Sequence, residues 1–252
     1  MGFPLTINLD VVINSFGGVG TSFLMHFLKE HLRINCPHNL DLLKHIDTPP
    51  LTHKKKFRAV YIYGNPIEAI ASLFNRGYHS LHSQYLLRNH PKVQPVSKED
   101  TLETYLKQEV DRFKLESHFE QWISSKRHYP ILFIKYEYIW NHLPELFNFL
   151  EIDHKYIDTF PKKKERTSRL DRISNENLYY LDKMYGTLID KTEQYPAFFI
   201  KPPTPAAYPI SLVNLPLSLI ENSDSIHPAI TLSSFYPKTY NLFKHLLVRR
   251  SG

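Results

Sequence analysis

Residues Asn8 to Asn35 read NLDVVINSFGGVGTSFLMHFLKEHLRIN, and the order of residue types in that stretch decides the fold class. An apolar, β-prone run from Leu9 to Ile13 comes first, broken only by Asp10. A small turn of Ser15, Phe16, Gly17, Gly18, Val19 and Gly20 follows. Thr21 and Ser22 then open a run in which Phe23, Leu24, Phe27, Leu28 and Leu32 recur three or four apart, so they share one helix face. Strand, glycine turn and helix make a phosphate-binding loop when the glycines let the backbone approach an anion and the first helical turn supplies free N–H groups. The same pattern also serves tight strand–helix packing alone. The usual P-loop carries a Lys just before its Ser or Thr. Here Thr21 follows Gly20 directly, which argues against a Mg-nucleotide hydrolase or kinase.

Outward from this stretch, two further strands alternate with helices. Phe57–Tyr63 is expected to be a strand that ends at Gly64-Asn65-Pro66, with Pro66 opening a helix whose Ile67, Ile70 and Phe74 or Ala71 face inward. Pro130–Tyr136 is a third strand, followed by a short helix from Asn141 to Leu150. The pattern also predicts a short helix at Leu40–Lys44, a polar loop over Gly77–Ser97, and one long helix from Thr101 to about Lys126. Its buried stripe includes Tyr105, Leu106, Val110, Phe113, Phe119 and Trp122. Ser174 is expected to cap a helix reaching about Lys191. Alternating strands and helices imply a P-loop-like, three-layer α/β sandwich: a mostly parallel sheet, helices on both faces, and ligands at the carboxyl ends of the strands. Eight of the chain's 18 prolines fall between Pro196 and Pro237. The expected organisation is therefore an α/β domain over 1–194 and a Pro-rich extension over 195–252, the latter a candidate for pairing with a second subunit.

With 252 residues, 42% of them hydrophobic, the chain can bury a sizeable core. The formal net charge of +6 suits an anionic ligand but is too small and scattered for a nucleic-acid partner. One cysteine, Cys36, leaves no internal disulfide framework and no cysteine-rich zinc site. No His, Asp or Glu spacing suggests a metal. No apolar run reaches membrane-spanning length and no signal-peptide pattern is present, so a cytoplasmic protein is expected. The opening MGFPLT formally fits the N-myristoylation pattern.

Three features occur in one order: the glycine turn, YGNPIEAIASLFNRG at Tyr63–Gly77, and ILFIKYEYIWNHLPELFNFLEI at Ile131–Ile152. In that order and spacing the chain resembles the sulfotransferase family that uses 3′-phosphoadenosine 5′-phosphosulfate (PAPS), over roughly Asp10 to Lys191. The resemblance implies that PAPS is the donor substrate, that no metal takes part, and that the acceptor is a small molecule or carbohydrate. It implies that Gly17, Gly18, Val19, Gly20, Thr21 and Ser22 hold the 5′-phosphosulfate. Asn65 and Ser72 would then serve the 3′-phosphate, with Arg76 one turn beyond. A late basic loop including Lys162, Lys163, Lys164, Arg166 and Arg169 would close over it, and His45 would be the base that takes the acceptor's proton. His53, His79 and His82 are weaker candidates for that base, and Tyr136-Glu137 is a strand-end structural pair.

Two residues depart from the family pattern. Gly18 stands where the family loop carries Lys or Arg, and Gly64 where its second motif carries Arg. Either the missing charges come from elsewhere, or the chain is an inactive, anion-binding or structural relative. Lys44, Lys54–Lys56, Arg76 and the late basic loop are the candidates to supply them.

Overall fold

The computed structural model describes residues 8–163 and 170–204. The myristoylation pattern, Lys164, Arg166, Arg169 and most of the Pro-rich tail lie outside them.

β1 (Val11–Ser15), β2 (Arg58–Tyr63) and β3 (Ile131–Lys135) form a parallel sheet in the order β1-β2-β3, and β4 (Phe198–Lys201) adds antiparallel to β3. Every residue of β1 and β3 is buried, as is all of β2 after Arg58. A parallel strand covered on both faces needs such a continuous run rather than alternation. β4 lies beyond residue 194, so the sheet includes residues assigned to the extension on sequence.

Seven α-helices accompany the sheet among the described residues: α1 (Thr21–Leu28), α2 (Pro66–Asn75), α3 (His79–Leu86), α4 (Leu102–Leu106), α5 (Leu115–Ser124), α6 (Leu143–Leu150) and α7 (Asn175–Glu193). α1 meets α6 and the segments beside it through tilted aromatic pairs, with Phe27 and Phe147 5.8 Å apart and Phe23 and Trp140 5.5 Å apart. On the other side, Tyr61 of β2 packs on Trp122 at 4.9 Å and Tyr63 on Phe119 at 5.4 Å. α2, α4 and α5 all pack against α7. Side chains such as Trp122, Tyr61 and Phe119, which are wholly buried, dominate the hydrophobic stabilisation of such a layer.

Three expectations fail for local reasons. The helix foreseen at Leu40–Lys44 does not form. The Asp41 carboxylate accepts from the amides of Cys36 and Leu43, Asn39 Oδ1 accepts from Lys44 N, and Asn39 and Leu42 take positive φ. Short polar side chains there satisfy amides that a helix would otherwise use. The single helix over Thr101–Lys126 is broken into α4 and α5. Asp111 accepts from the amides of Phe113 and Leu115 and from the Tyr185 hydroxyl, while Glu109 and Lys114 turn left-handed. Val110 consequently faces solvent, 50% exposed. Finally, the Gly77–Ser97 segment is not all loop: α3 buries His79, His82, Ser83 and Leu86, a three-four-seven spacing.

The remaining edge of β1 is closed by loop and side chain. Val11 bridges to Ile34. The Asn35 side chain accepts from Ile13 N and donates to Ile13 O. Ser15 N donates to Lys44 O, drawing Lys44 and His45 to the carboxyl end of β1.

Candidate functional site

The turn after β1 is a bowl of left-handed glycines. Gly17 has φ +92°, and Gly18 and Gly20 each have φ +69°, a region other residues enter only with strain. The turn is stapled internally: Ser15 Oγ accepts from Gly17 N at 3.1 Å and from the Thr21 hydroxyl at 2.6 Å. The Thr21 hydroxyl is therefore committed inward, and only its amide remains for a ligand. Thr21 and Ser22, at the first turn of α1, have no intrahelical acceptor for their amides. No described residue accepts from the amides of Val19 and Gly20.

Each glycine also allows a close approach. A Cβ at Gly18 would lie 2.5 Å from the Ala69 carbonyl oxygen, at Gly20 2.2 Å from the Tyr136 ring, and at Gly17 1.8 Å from His82 Nε2. The turn thus presses directly on α2, on the residue that follows β3, and on α3. Ser72 and Gly20 consequently belong to one end of the sheet. Ser72 is 6% exposed, one turn beyond Ala69. Gly64 joins the same junction: a Cβ there would meet Glu137 Oε1 at 3.1 Å and Val19 Cγ1 at 3.3 Å. Tyr136 and Glu137 so form the wall that joins the three strand ends. Asn65 spends its side-chain oxygen on the cap of α2, accepting from Ile67 N and Glu68 N.

Two cations stand beside the bowl without carboxylate partners among the described residues. Lys44 is buried, and its ammonium donates to Ser22 Oγ at 2.5 Å and to Pro37 O at 2.8 Å. Burial, and to a lesser degree Arg76, bring its pKa down to about 8. Arg76 donates from Nε to Ser72 O at 3.1 Å and lies over the Tyr78 ring at 5.4 Å; burial lowers its pKa too. Lys54 is unavailable. It donates to Asp10 and Leu9 at the amino end of β1, opposite the bowl, and His53 beside it is exposed. Lys163 donates to Glu137 O and lies 5.7 Å over Trp140, which brings the start of the late basic loop to the end of β3.

Two buried histidines contact the turn from outside. His45 Nδ1 donates to Ser15 O at 2.8 Å and His82 Nε2 to Phe16 O at 2.9 Å, with ring centroids 4.3 Å apart in an edge-on contact. Both donate to carbonyls, so His45 carries its lone pair on Nε2 and His82 on Nδ1. No described residue bonds to His45 Nε2. Burial holds both imidazoles neutral, His45 well below the ordinary range and His82 at about 4. His79 instead stacks on Phe74 at 4.4 Å, away from the turn. His82, a weaker candidate on sequence, lies on α3, where a polar loop was expected. The signal for its inward position was the spacing of His79, His82, Ser83 and Leu86.

No family model matches the chain, and no curated protein matches it. Among solved structures it is similar to the crystal structure of mouse sulfotransferase SULT7A1 complexed with PAP. The identity is 16%, the match covers 77% of this chain and 91% of that one, and the TM-score is 0.47.

Proposed function

We propose that the chain is a divergent PAPS-dependent sulfotransferase. Its donor would lie across the carboxyl ends of β1 and β2, and a sulfuryl group would pass to a hydroxyl or amine of a small-molecule or carbohydrate acceptor. The observation that carries this is the pair of cations, Lys44 and Arg76, with no carboxylate partner among the described residues, beside a turn whose Val19 to Ser22 amides point to no acceptor among them. Burying an unpaired cation costs folding energy, and a ligand of opposite charge is what offsets it. In this reading Lys44 replaces the cation missing at Gly18. As the bond from sulfur to the bridging phosphate oxygen breaks, charge builds on that oxygen, and the ammonium beside Ser22 stabilises it. His45 Nε2 takes the proton from the acceptor hydroxyl as the new oxygen–sulfur bond forms. Amides of Val19 to Ser22 hold the 5′-phosphosulfate, and Ser72 with Arg76 the 3′-phosphate.

A second reading is a non-catalytic relative that binds a nucleotide or another anion. The junction at Gly64 favours it, since the Glu137 carboxylate faces the position where the family carries a guanidinium. Two measurements separate the readings. Under the first, adenosine 3′,5′-bisphosphate raises the melting temperature, and Ser72→Ala reduces the shift. Labelled PAPS also transfers sulfate to an acceptor library in a His45-dependent manner. A shift without turnover selects the second reading. Absence of any shift in folded protein removes the first reading and leaves a relative that binds another anion or serves as a structural subunit.

A further inference from the structure

We propose that His82 is a positioning residue for this site, holding the mouth of the glycine turn in its anion-accepting shape and setting the orientation of His45; the proposal rests on the sulfuryl-transfer reading above. Three observations support it. First, the donor of His82 is spent on Phe16 O, and that of His45 on Ser15 O, so two consecutive carbonyls are engaged by imidazoles outside the bowl. In a trans peptide the C=O and the next N–H point in opposite directions. With Phe16 C=O turned to His82, Gly17 N–H turns the other way and reaches Ser15 Oγ. Carbonyl oxygens held in this way cannot face a bound anion.

Second, the His82 ring fills the space over Gly17. Nε2 lies 1.8 Å from where a Cβ would stand. The glycine and the histidine are therefore one fitted pair, and α3 is a part of the donor loop's support although no α3 residue lies in the turn itself.

Third, the edge of one imidazole rests on the other at 4.3 Å, so the His45 ring is held between Ser15 O and His82. The bond to Ser15 O leaves the Nε2 lone pair as the basic position, and the His82 edge holds the ring where that bond forms. Lys44 and Arg76 both lie close enough to disfavour a charge on His82, which keeps its ring a neutral donor while the anion site stays positive.

The test compares His82→Leu, which keeps apolar bulk over Gly17 but removes the donor, with His82→Gln, whose amide offers an N–H at similar reach. In the unliganded protein, hydrogen exchange of the Gly17 amide, which donates to Ser15 Oγ, should rise at least about tenfold in the Leu variant, the cost of leaving a buried carbonyl unpaired. Nitrogen chemical shifts should show that His45 no longer holds a single Nδ1–H tautomer. The Gln variant should stay within about twofold of wild type in exchange and keep that tautomer. Loop exchange and tautomer unchanged in the Leu variant would overturn the proposal, as would a folded Gln variant as perturbed as Leu. If the Leu variant does not fold, the Gln variant decides alone. Affinity for adenosine 3′,5′-bisphosphate is read separately. Absence of binding in wild type overturns the nucleotide reading, while exchange and tautomer still decide the role of His82.

Discussion

The two ends of β1 handle charge in opposite ways. At the amino end, Asp10 sits between Arg33, 2.9 Å from its carboxylate, and Lys54 at 2.6 Å. Their hydrogen bonds hold its pKa far below the ordinary carboxylate range. At the carboxyl end, Lys44 and Arg76 have no such partner among the described residues, and the two imidazoles bonded to the glycine turn are held neutral by burial. The first end is complete in itself and works as a structural clip. The second has no carboxylate counterion among the described residues, and in the proposed function an anionic ligand supplies the missing half.

The largest effect expected is from restoring the family's residue. Gly18→Lys should not repair the site but damage it. A Cβ at φ +69° meets a backbone carbonyl at 2.5 Å, and left-handed strain plus overpacking together cost about 3 kcal/mol. A denaturant midpoint that rises or holds in that variant would mean the cation had always had room. Acid is the next probe. His82 binds its proton at about 4 when folded against 6.5 unfolded, so the unfolded chain takes up protons first. Stability present above pH 6.5 is then lost as pH falls towards 4, by about 3 kcal/mol for this group. Asp10, lowered rather than raised, contributes stability above its unfolded value of 3.8 and loses it only below. Exchange measurements across an acid titration should therefore open the carboxyl end of β1 before the amino end.

Much of this fold could be read directly from the residues: a Gly-rich turn between an apolar run and a three-four-periodic run, then two more β-prone runs ending in turn signals. The breaks were harder to see. Asp41 and Asp111 interrupt helical periodicity by capturing amides a few residues away, and nothing in the apolar pattern reports a carboxylate's choice of partner. The glycine turn, His45 and a list of possible cations could be named from the residues as candidates. Which cation lies beside the turn could not be named, because Lys44 reaches Ser22 through a tertiary loop 22 residues away, while Lys54 is spent on the opposite end.

That contrast gives a third test, of intermediate size. Lys44→Met removes a desolvated ammonium, so stability should hold or rise, while affinity for adenosine 3′,5′-bisphosphate falls by about 1.5–3 kcal/mol, roughly tenfold to a hundredfold. In wild type the affinity should also decline as pH rises through about 8, where the ammonium loses its proton. The smallest effect is the mirror image. Lys54→Met should lower stability by less than about 1 kcal/mol, as befits a partly exposed pair, and leave the nucleotide affinity unchanged in calorimetry.

The amide of Asn35, which answers both the N–H and the C=O of Ile13, has a consequence for assembly. A side chain mimics one peptide unit of a strand but offers nothing beyond itself for another strand to follow. The sheet is thereby finished on its β1 flank. Among the described residues β4 is the other edge of the sheet, so a strand added to it would be expected alongside β4, which would make recruitment directional.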